Sequence, residues 1–162
     1  MGHPTIDLVP MDEADFHAYM DWSIADYAQE HIRTGRWSQE EGLQRATQQY
    51  QELLPDGLAS PNQYLFSIQN TVTGEKVGML WFAIQKHGGK VGAFVYDVEI
   101  AELFRRNGYA EQAFLVLEEK VRALGLDTIG LHVFGHNHAA RALYEKLGYV
   151  PTNINLLKTL KS

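Results

Sequence analysis

The sequence predicts an α/β fold built on a sheet of mixed direction, with elements in the order βααβββαβαβ. Three observations lead there. Alternating apolar runs follow in series between Tyr64 and Ile100, as antiparallel neighbours joined by short turns do. A helix pattern at 3.6-residue period follows the last of these runs, then a strand and a second helix, as in βαβ units. Glycines punctuate the boundaries at Gly35, Gly108, Gly125 and Gly148.

Thr5 to Val9 alternates weakly and predicts a first edge strand. Asp12 to Thr34 predicts a helix, with Phe16, Met20, Ile24 and Tyr27 at helical spacing and Gly35 as its stop. Ser38 opens a second helix, and Glu41 three residues on completes a capping box. That helix fades at Pro55-Asp56-Gly57, and Leu58 to Asn62 reads as a loop. Tyr64 to Gln69, Lys76 to Gln85 and Val91 to Ile100 are the serial strands. Their turns are Thr71 to Gly74 and Lys86 to Gly89, the second a hairpin. Gly108 to Leu124 is a strong amphipathic helix, with Ala110, Ala113, Phe114, Leu117, Val121 and Leu124 on one face. Thr128 to Phe134 predicts a strand, Asn137 to Leu147 a helix ended by Gly148, and Asn155 to Leu160 a last strand. The whole, residues 1–162, reads as a single domain.

Composition narrows the function. The chain has 162 residues, 45% hydrophobic and 11% aromatic, enough for one sizeable core. A formal net charge of −6 argues against a general nucleic-acid binder, which presents a basic face. There is no cysteine, so disulfide scaffolds, zinc–thiolate sites and thiol nucleophiles are excluded. No apolar run approaches membrane-spanning length, and no signal-peptide core is present, so a soluble cytoplasmic location with no membrane partner is expected. Met1-Gly2 fits the start of a myristoylation pattern, but Ile6 stands where that pattern has Ser or Thr.

The most informative stretch is Arg105-Arg106-Asn107-Gly108-Tyr109-Ala110, where the strand-like run from Ala93 to Ile100 gives way to a helix. A helix N-terminus offers unpaired N–H groups and partial positive charge, so it accepts an anion such as phosphate. Gly108 lets the main chain approach a ligand without a Cβ in the way. A second motif follows about thirty residues on: Asn137-His138-Ala139-Ala140-Arg141-Ala142-Leu143-Tyr144-Glu145-Lys146-Leu147-Gly148-Tyr149. Much of it is explained as an ordinary helix, with Asn137 as N-cap, Ala140, Leu143 and Leu147 as core and Gly148 as stop. Tyr144, a phenol at the edge of the apolar face, is not.

The pair Arg-x-x-Gly-x-Ala and Asn-x-x-Ala-x-x-Leu-Tyr-x-x-x-Gly-Tyr resembles the acetyl-CoA motifs of the GNAT family of N-acetyltransferases, within residues 93–149. The resemblance implies the acyl-CoA N-acyltransferase fold, with acetyl-CoA between two splayed parallel strands ending here at Ile100 and Phe134. It implies that the main chain around Val98, Glu99 and Ile100 bonds the pantetheine arm and polarises the thioester carbonyl, an oxyanion-hole device. It further implies that Arg105 to Ala110 cradle the pyrophosphate, that Asn137 contacts the pantetheine arm, and that Arg141 or Arg106 reaches the outer phosphates. The activity implied is acetyl transfer from acetyl-CoA to an amine. The alternative is a non-catalytic acyl-CoA-binding or sensing domain. Family members often form dimers, so a homodimer is expected.

Direct transfer needs a base to take the ammonium proton and an acid to protonate the leaving thiolate. Tyr144 matches the family's usual general acid; the competing account is a core tyrosine whose hydroxyl finds a partner. Tyr96-Asp97-Val98-Glu99-Ile100 sets two carboxylates at alternate positions, on one face of a regular strand. Glu99 is the first choice of base, Asp97 the second, against a solvated edge, structural ion pairs or a water chain. In the family a carboxylate base on this strand often aligns with Tyr96, and a bulge, frequent there, would reorient these side chains.

His132, His136 and His138 cluster at a polar turn, but no HExxH spacing or neighbouring carboxylate completes a ligand set, so no metal is expected. The resemblance puts the amine acceptor opposite CoA, against the first two helices. Trp22, Tyr27, Glu30, His31 and Trp37 are its candidate wall; aromatics with a carboxylate suit a cationic amine, though each also serves as ordinary helix packing.

Overall fold

Alternation closes into a five-stranded sheet whose strands stand side by side in chain order. A computed structural model describes residues 5–161, except for the side chain of His87. The Met1-Gly2 pair that bears on myristoylation lies outside the described residues. The contacts divide the chain into two units, Met1–Leu131 and His132–Ser162.

The first unit holds β1 (Ile6–Pro10), α1 (Glu13–Arg33), α2 (Gly42–Leu53), β2 (Gln63–Asn70), β3 (Lys76–His87), β4 (Lys90–Ile100), α3 (Tyr109–Ala123) and β5 (Ile129–Leu131). β1 to β4 pair antiparallel, and β5 pairs parallel to β4, so the predicted mixed direction is present. Among the described residues no helix is long and apolar enough to cross a membrane.

Cross-strand partners share a face, and the register sorts the two layers. Leu8, Ile68, Phe66, Leu80, Phe82 and Val95 lie on one face, covered by α3 through Ala113, Phe114, Leu117 and Val121, all buried. Burying each large apolar side chain contributes roughly 1.5–3 kcal/mol relative to exposure. Lys120 sits over the Phe66 ring, 5.4 Å from its centroid, and Asn70 donates to the Tyr109 hydroxyl at 3.0 Å. The opposite face carries a cluster of Met11, Phe16, Tyr19, Leu54, Leu65, Met79 and Trp81 with α1 and the end of α2.

Local chemistry sets the helix ends. Asp12 caps α1 by accepting from the Asp15 N–H at 2.7 Å, as a short carboxylate does at an N-cap. The capping box at Ser38 and Glu41 forms, each backbone N–H meeting the other's side chain at 3.3 Å. The regular helix nevertheless starts at Gly42 rather than Ser38, because residues 39–41 make a turn first. A Cβ on Gly42 would stand 2.5 Å from the Ile32 methyl, so glycine lets α2 approach α1.

Among its described residues the second unit has one helix, α4 (His138–Lys146), with Asn137 as its N-cap and Gly148 at φ +95 behind it. Two expectations change. The strand predicted over Thr128 to Phe134 is only three residues long, since it bonds β4 through Ala93 to Val95 alone. The last strand predicted over Asn155 to Leu160 is absent: among the described residues nothing forms a ladder with it. Leu156, Leu157 and Leu160 are 91%, 95% and 87% exposed. Apolar spacing does not make a strand when its N–H and C=O groups have no partner chain.

Candidate functional site

The end of β4 departs from regular pairing, and the departure positions its carboxylates. Val95 pairs with Phe82, yet Asp97 pairs with Trp81, which leaves Tyr96 as an extra residue, a β-bulge. Regular alternation from the Phe82–Val95 pair would set Asp97 opposite Leu80, on the α3 face. The bulge shifts the parity, and Asp97 and Glu99 stand opposite Trp81 and Met79, on the face of α1 and α2. The parallel ladder to β5 ends at Val95 and Leu131, just before the bulge, while β4 runs on to Ile100 paired to β3 alone. The resemblance expects the cofactor's two parallel strands to end at Ile100 and Phe134; their pairing reaches only Val95 and Leu131.

Asp97 is partly buried and bonded rather than at a solvated edge. Tyr19 of α1, which sequence reading left out of the site, donates its hydroxyl to Asp97 Oδ2 at 2.7 Å. Burial pushes the Asp97 carboxyl above the ordinary range, while the Tyr19 hydroxyl and the Val98 N–H oppose the rise. Burial and the charge of Asp97 hold the Tyr19 phenol far above its usual range. Ser23 Oγ and the Tyr50 hydroxyl lie 2.5 Å apart beside it. The signal in the sequence was only that positions 16, 19, 20 and 23 share a helix face.

Glu99 is half-buried. Burial raises its carboxyl from 4.5 to about 7; Asp97 adds to the rise, Arg105 opposes it, and Asp26 of α1 contributes a smaller upward push. Arg105 Nη2 is 3.9 Å from Glu99 Oε1, and its Nε donates to the Ile100 carbonyl at 2.9 Å. The Arg105 side chain is therefore tied to the strand end, and the Ile100 oxygen is already engaged.

After a single 3-10 turn, Glu102–Phe104, the chain enters α3 through two left-handed residues, Arg106 at φ +67 and Gly108 at φ +77. Arg106 occupies a conformation that costs a Cβ-bearing residue about 1–2 kcal/mol. Gly108 is the α3 N-cap and, among the described residues, makes no side-chain cap hydrogen bond there. A Cβ at Gly108 would meet nothing within 4 Å, so the space before the helix is open. Asn107 donates to the Phe104 and Arg105 carbonyls at 3.0 and 3.2 Å, bracing the loop. The Tyr109 hydroxyl accepts from Asn70, so this side chain anchors the helix to β2. Ala110 follows in the first turn.

The remaining predicted site residues belong to the second unit. Asn137 Oδ1 accepts from the Ala140 N–H at 3.2 Å, the capping role expected of an N-cap. Arg141 donates from Nη1 to the Gly135 carbonyl at 3.0 Å, and its N–H bonds the Asn137 carbonyl. The Tyr144 ring packs edge-on against Tyr149 at 5.7 Å. His132 and His136 flank the Phe134 ring at 4.9 and 5.6 Å.

Of the candidate acceptor wall, Tyr27, His31 and Trp37 meet as one group. Tyr27 is 4.5 Å from His31 edge-on, and His31 is 4.3 Å from Trp37. Tyr27 also approaches Tyr50 at 5.8 Å, and Tyr50 approaches Trp81 at 6.0 Å, so rings run on towards the cluster beside Asp97. Burial, with Arg36 adding, lowers His31. Glu30 instead pairs with Arg33, and Trp22 is 49% exposed.

Residues 17–149 match the Acetyltransferase (GNAT) family model. The chain is similar to the N-acetyltransferase YdgE of Bacillus subtilis (strain 168), 37% identical over 153 residues, which cover 94% of this chain and 97% of that protein. It is 36% identical over 158 residues to the N-acetyltransferase YycN of the same organism, covering 96% and 99%. The crystal structure of YycN superposes with a TM-score of 0.85 at 35% identity, covering 98% of this chain and 100% of that one. AAC(6')-Iy, solved with the bisubstrate analogue CoA-S-monomethyl-acetylneamine, shares the fold alone, at 14% identity and a TM-score of 0.58 over 99% of this chain and 100% of that one.

Proposed function

The chain belongs to the Acetyltransferase (GNAT) family and is an N-acetyltransferase, and on that premise we propose that it moves the acetyl group of acetyl-CoA directly to a primary amine, with Glu99 as base and Tyr144 as acid. Glu99 takes a proton from the acceptor ammonium. The amine nitrogen then bonds the acetyl carbon, the carbon–sulfur bond breaks, the CoA thiolate takes the proton of Tyr144, and the surplus proton on the acylated nitrogen restores the Tyr144 phenolate to the phenol. The whole chain serves this as one N-acetyltransferase domain.

The observation that carries the reading is Glu99. A general base works best when its proton affinity lies near the working pH, and burial raises this carboxyl to about 7. For the donor, an open, uncapped helix end behind left-handed Gly108 fits a pyrophosphate, which would bond the free N–H groups. Arg106 is the nearer source of side-chain charge, because Arg105 is engaged by Glu99 and Ile100. Asn137 and Arg141 are the further candidates for the pantetheine arm and outer phosphates. Val98 and Glu99 offer main-chain groups beyond the last β5 pair. On the acceptor side, the rings of Tyr27, His31 and Trp37 with the carboxylates of β4 suit a cationic amine, in a small molecule or a peptide.

Release of free thiol from acetyl-CoA across a panel of amines tests the proposal. Thiol release that depends on one class of amine is expected. Tight acetyl-CoA binding with no turnover on any amine would leave a binder rather than an enzyme.

A further inference from the structure

We propose that Tyr19 is a positioning residue which decides where the proton shared by the β4 carboxylates resides: its hydroxyl, 2.7 Å from Asp97 Oδ2, holds Asp97 as the anion and leaves Glu99 as the group that gains and loses the proton. This rests on the reading of Glu99 as the base.

The geometry begins with the bulge at Tyr96, which brings Asp97 and Glu99 to one face. Two residues apart on a strand rising ~3.3 Å per residue, they stand about 6.6 Å apart along it, close enough for like charges to disfavour double ionisation. A pair so placed titrates as a unit, and local hydrogen bonds determine which member is charged first. By burial alone Asp97 is the poorer place for a charge: it is bonded to Tyr19, which is 8% exposed and packs in the cluster on that face. A buried hydroxyl donor reverses that order, because a hydrogen bond to the charged form favours it.

The donor is committed to this task. Ser23, 4% exposed, and Tyr50 have hydroxyls 2.5 Å apart, so those two hydroxyls bond each other. The Tyr19 hydroxyl donates to Asp97, whose carboxylate is a stronger acceptor than a neutral hydroxyl. The Val98 N–H supplies a further donor to Asp97. The other groups facing Glu99 are Asp26 from α1 and Arg105 from the loop before α3; its partner on β3, Met79, is neutral. Tyr19 and the Val98 N–H favour the charge on Asp97 while Arg105 favours it on Glu99, and of these the tyrosine is the side-chain donor to Asp97 that a substitution can remove.

Tyr19→Phe keeps the ring in its cluster and removes the hydroxyl. The proton then moves to Asp97, Glu99 no longer faces a negative neighbour, and it ionises at lower pH. The test is a titration of the carboxyl carbons of 13C-labelled wild-type, Tyr19→Phe and Asp97→Asn proteins by NMR, with the pH dependence of kcat/KM measured alongside. The expected result is a Glu99 midpoint lowered by about one pH unit in both variants. The acid limb of kcat/KM moves the same way, while KM for acetyl-CoA is unchanged. A Glu99 midpoint that stays in place in either variant overturns the proposal. Glu99→Gln separates the two readings: if it keeps the wild-type rate and acid limb, Glu99 is not the base, whereas the NMR midpoints still report on Tyr19.

Discussion

Asp97 stands opposite Trp81, although the neighbouring Phe82–Val95 pair sets a register in which Asp97 would face Leu80. One extra residue in β4 thus turns two carboxylates from the apolar α3 face to the face of α1 and α2. Buried against α3 they would be uncompensated charges among Phe114 and Leu117, a costly arrangement. On the face of α1 Asp97 meets the hydroxyl donor of Tyr19, and Glu99 stays half-buried.

Glu99→Gln removes the base and leaves the size of the side chain. We expect kcat to fall by about 10²–10⁴-fold. In the wild type, kcat/KM should decline as pH drops below about 7, since only the ionised carboxylate accepts a proton. Stability moves the opposite way. Because the folded state raises Glu99 above its free value of 4.5, its stabilising contribution is complete below 4.5 and is lost as pH rises through about 7. Thermal melts should therefore show Glu99→Gln gaining on the wild type at pH 8 more than at pH 4.

Tyr144→Phe should slow acetyl transfer by about 10²-fold with acetyl-CoA affinity by calorimetry close to the wild type. A variant with full activity would remove the phenol from the chemistry and return it to its packing against Tyr149.

Gly108→Ala and Gly125→Ala make an informative pair. Both glycines are left-handed, at φ +77 and +79, and both have open space where a Cβ would go. Each substitution should cost about 1–2 kcal/mol in backbone strain, or about 2–4 °C in Tm per kcal/mol. Only Gly108→Ala should also raise KM for acetyl-CoA, because its methyl would fill the opening before α3. Equal effects on KM would dissociate Gly108 from the cofactor.

Gly78→Ala tests how tightly β3 holds the base. A Cβ there would lie 2.2 Å from the Glu99 carbonyl oxygen, a backbone atom that moves only with its strand. We expect a loss of about 1–3 kcal/mol, as for other overpacked sites, together with a lowered kcat. Wild-type activity in a folded Gly78→Ala protein would show that the position of Glu99 is not critical.

Much of this was readable in the chain because it depends on local pattern. The helical spacing of Ala113, Phe114, Leu117 and Val121 gave α3 and its buried face, and Asn137 was legible as a cap. The alternate placing of Asp97 and Glu99 showed that they share a face. Which face they share was not legible, because parity depends on a single unpaired residue and hence on the register with β3. Tyr19 was missed for a related reason: its partner is 78 residues away, and nothing near it distinguishes a donor to a carboxylate from a ring filling space. The strand expected over Asn155 to Leu160 failed because spacing reports a tendency, while a ladder requires a second chain segment in register.

The open start of α3 has a consequence in time as well as in chemistry. A helix whose N-cap glycine makes no side-chain cap bond frays from that end. Its amides there should exchange with solvent quickly until an anion arrives to bond them. Order in the first turn of α3 and occupancy by the donor would then rise together, so hydrogen exchange at Tyr109 and Ala110 would follow cofactor loading with no amine present.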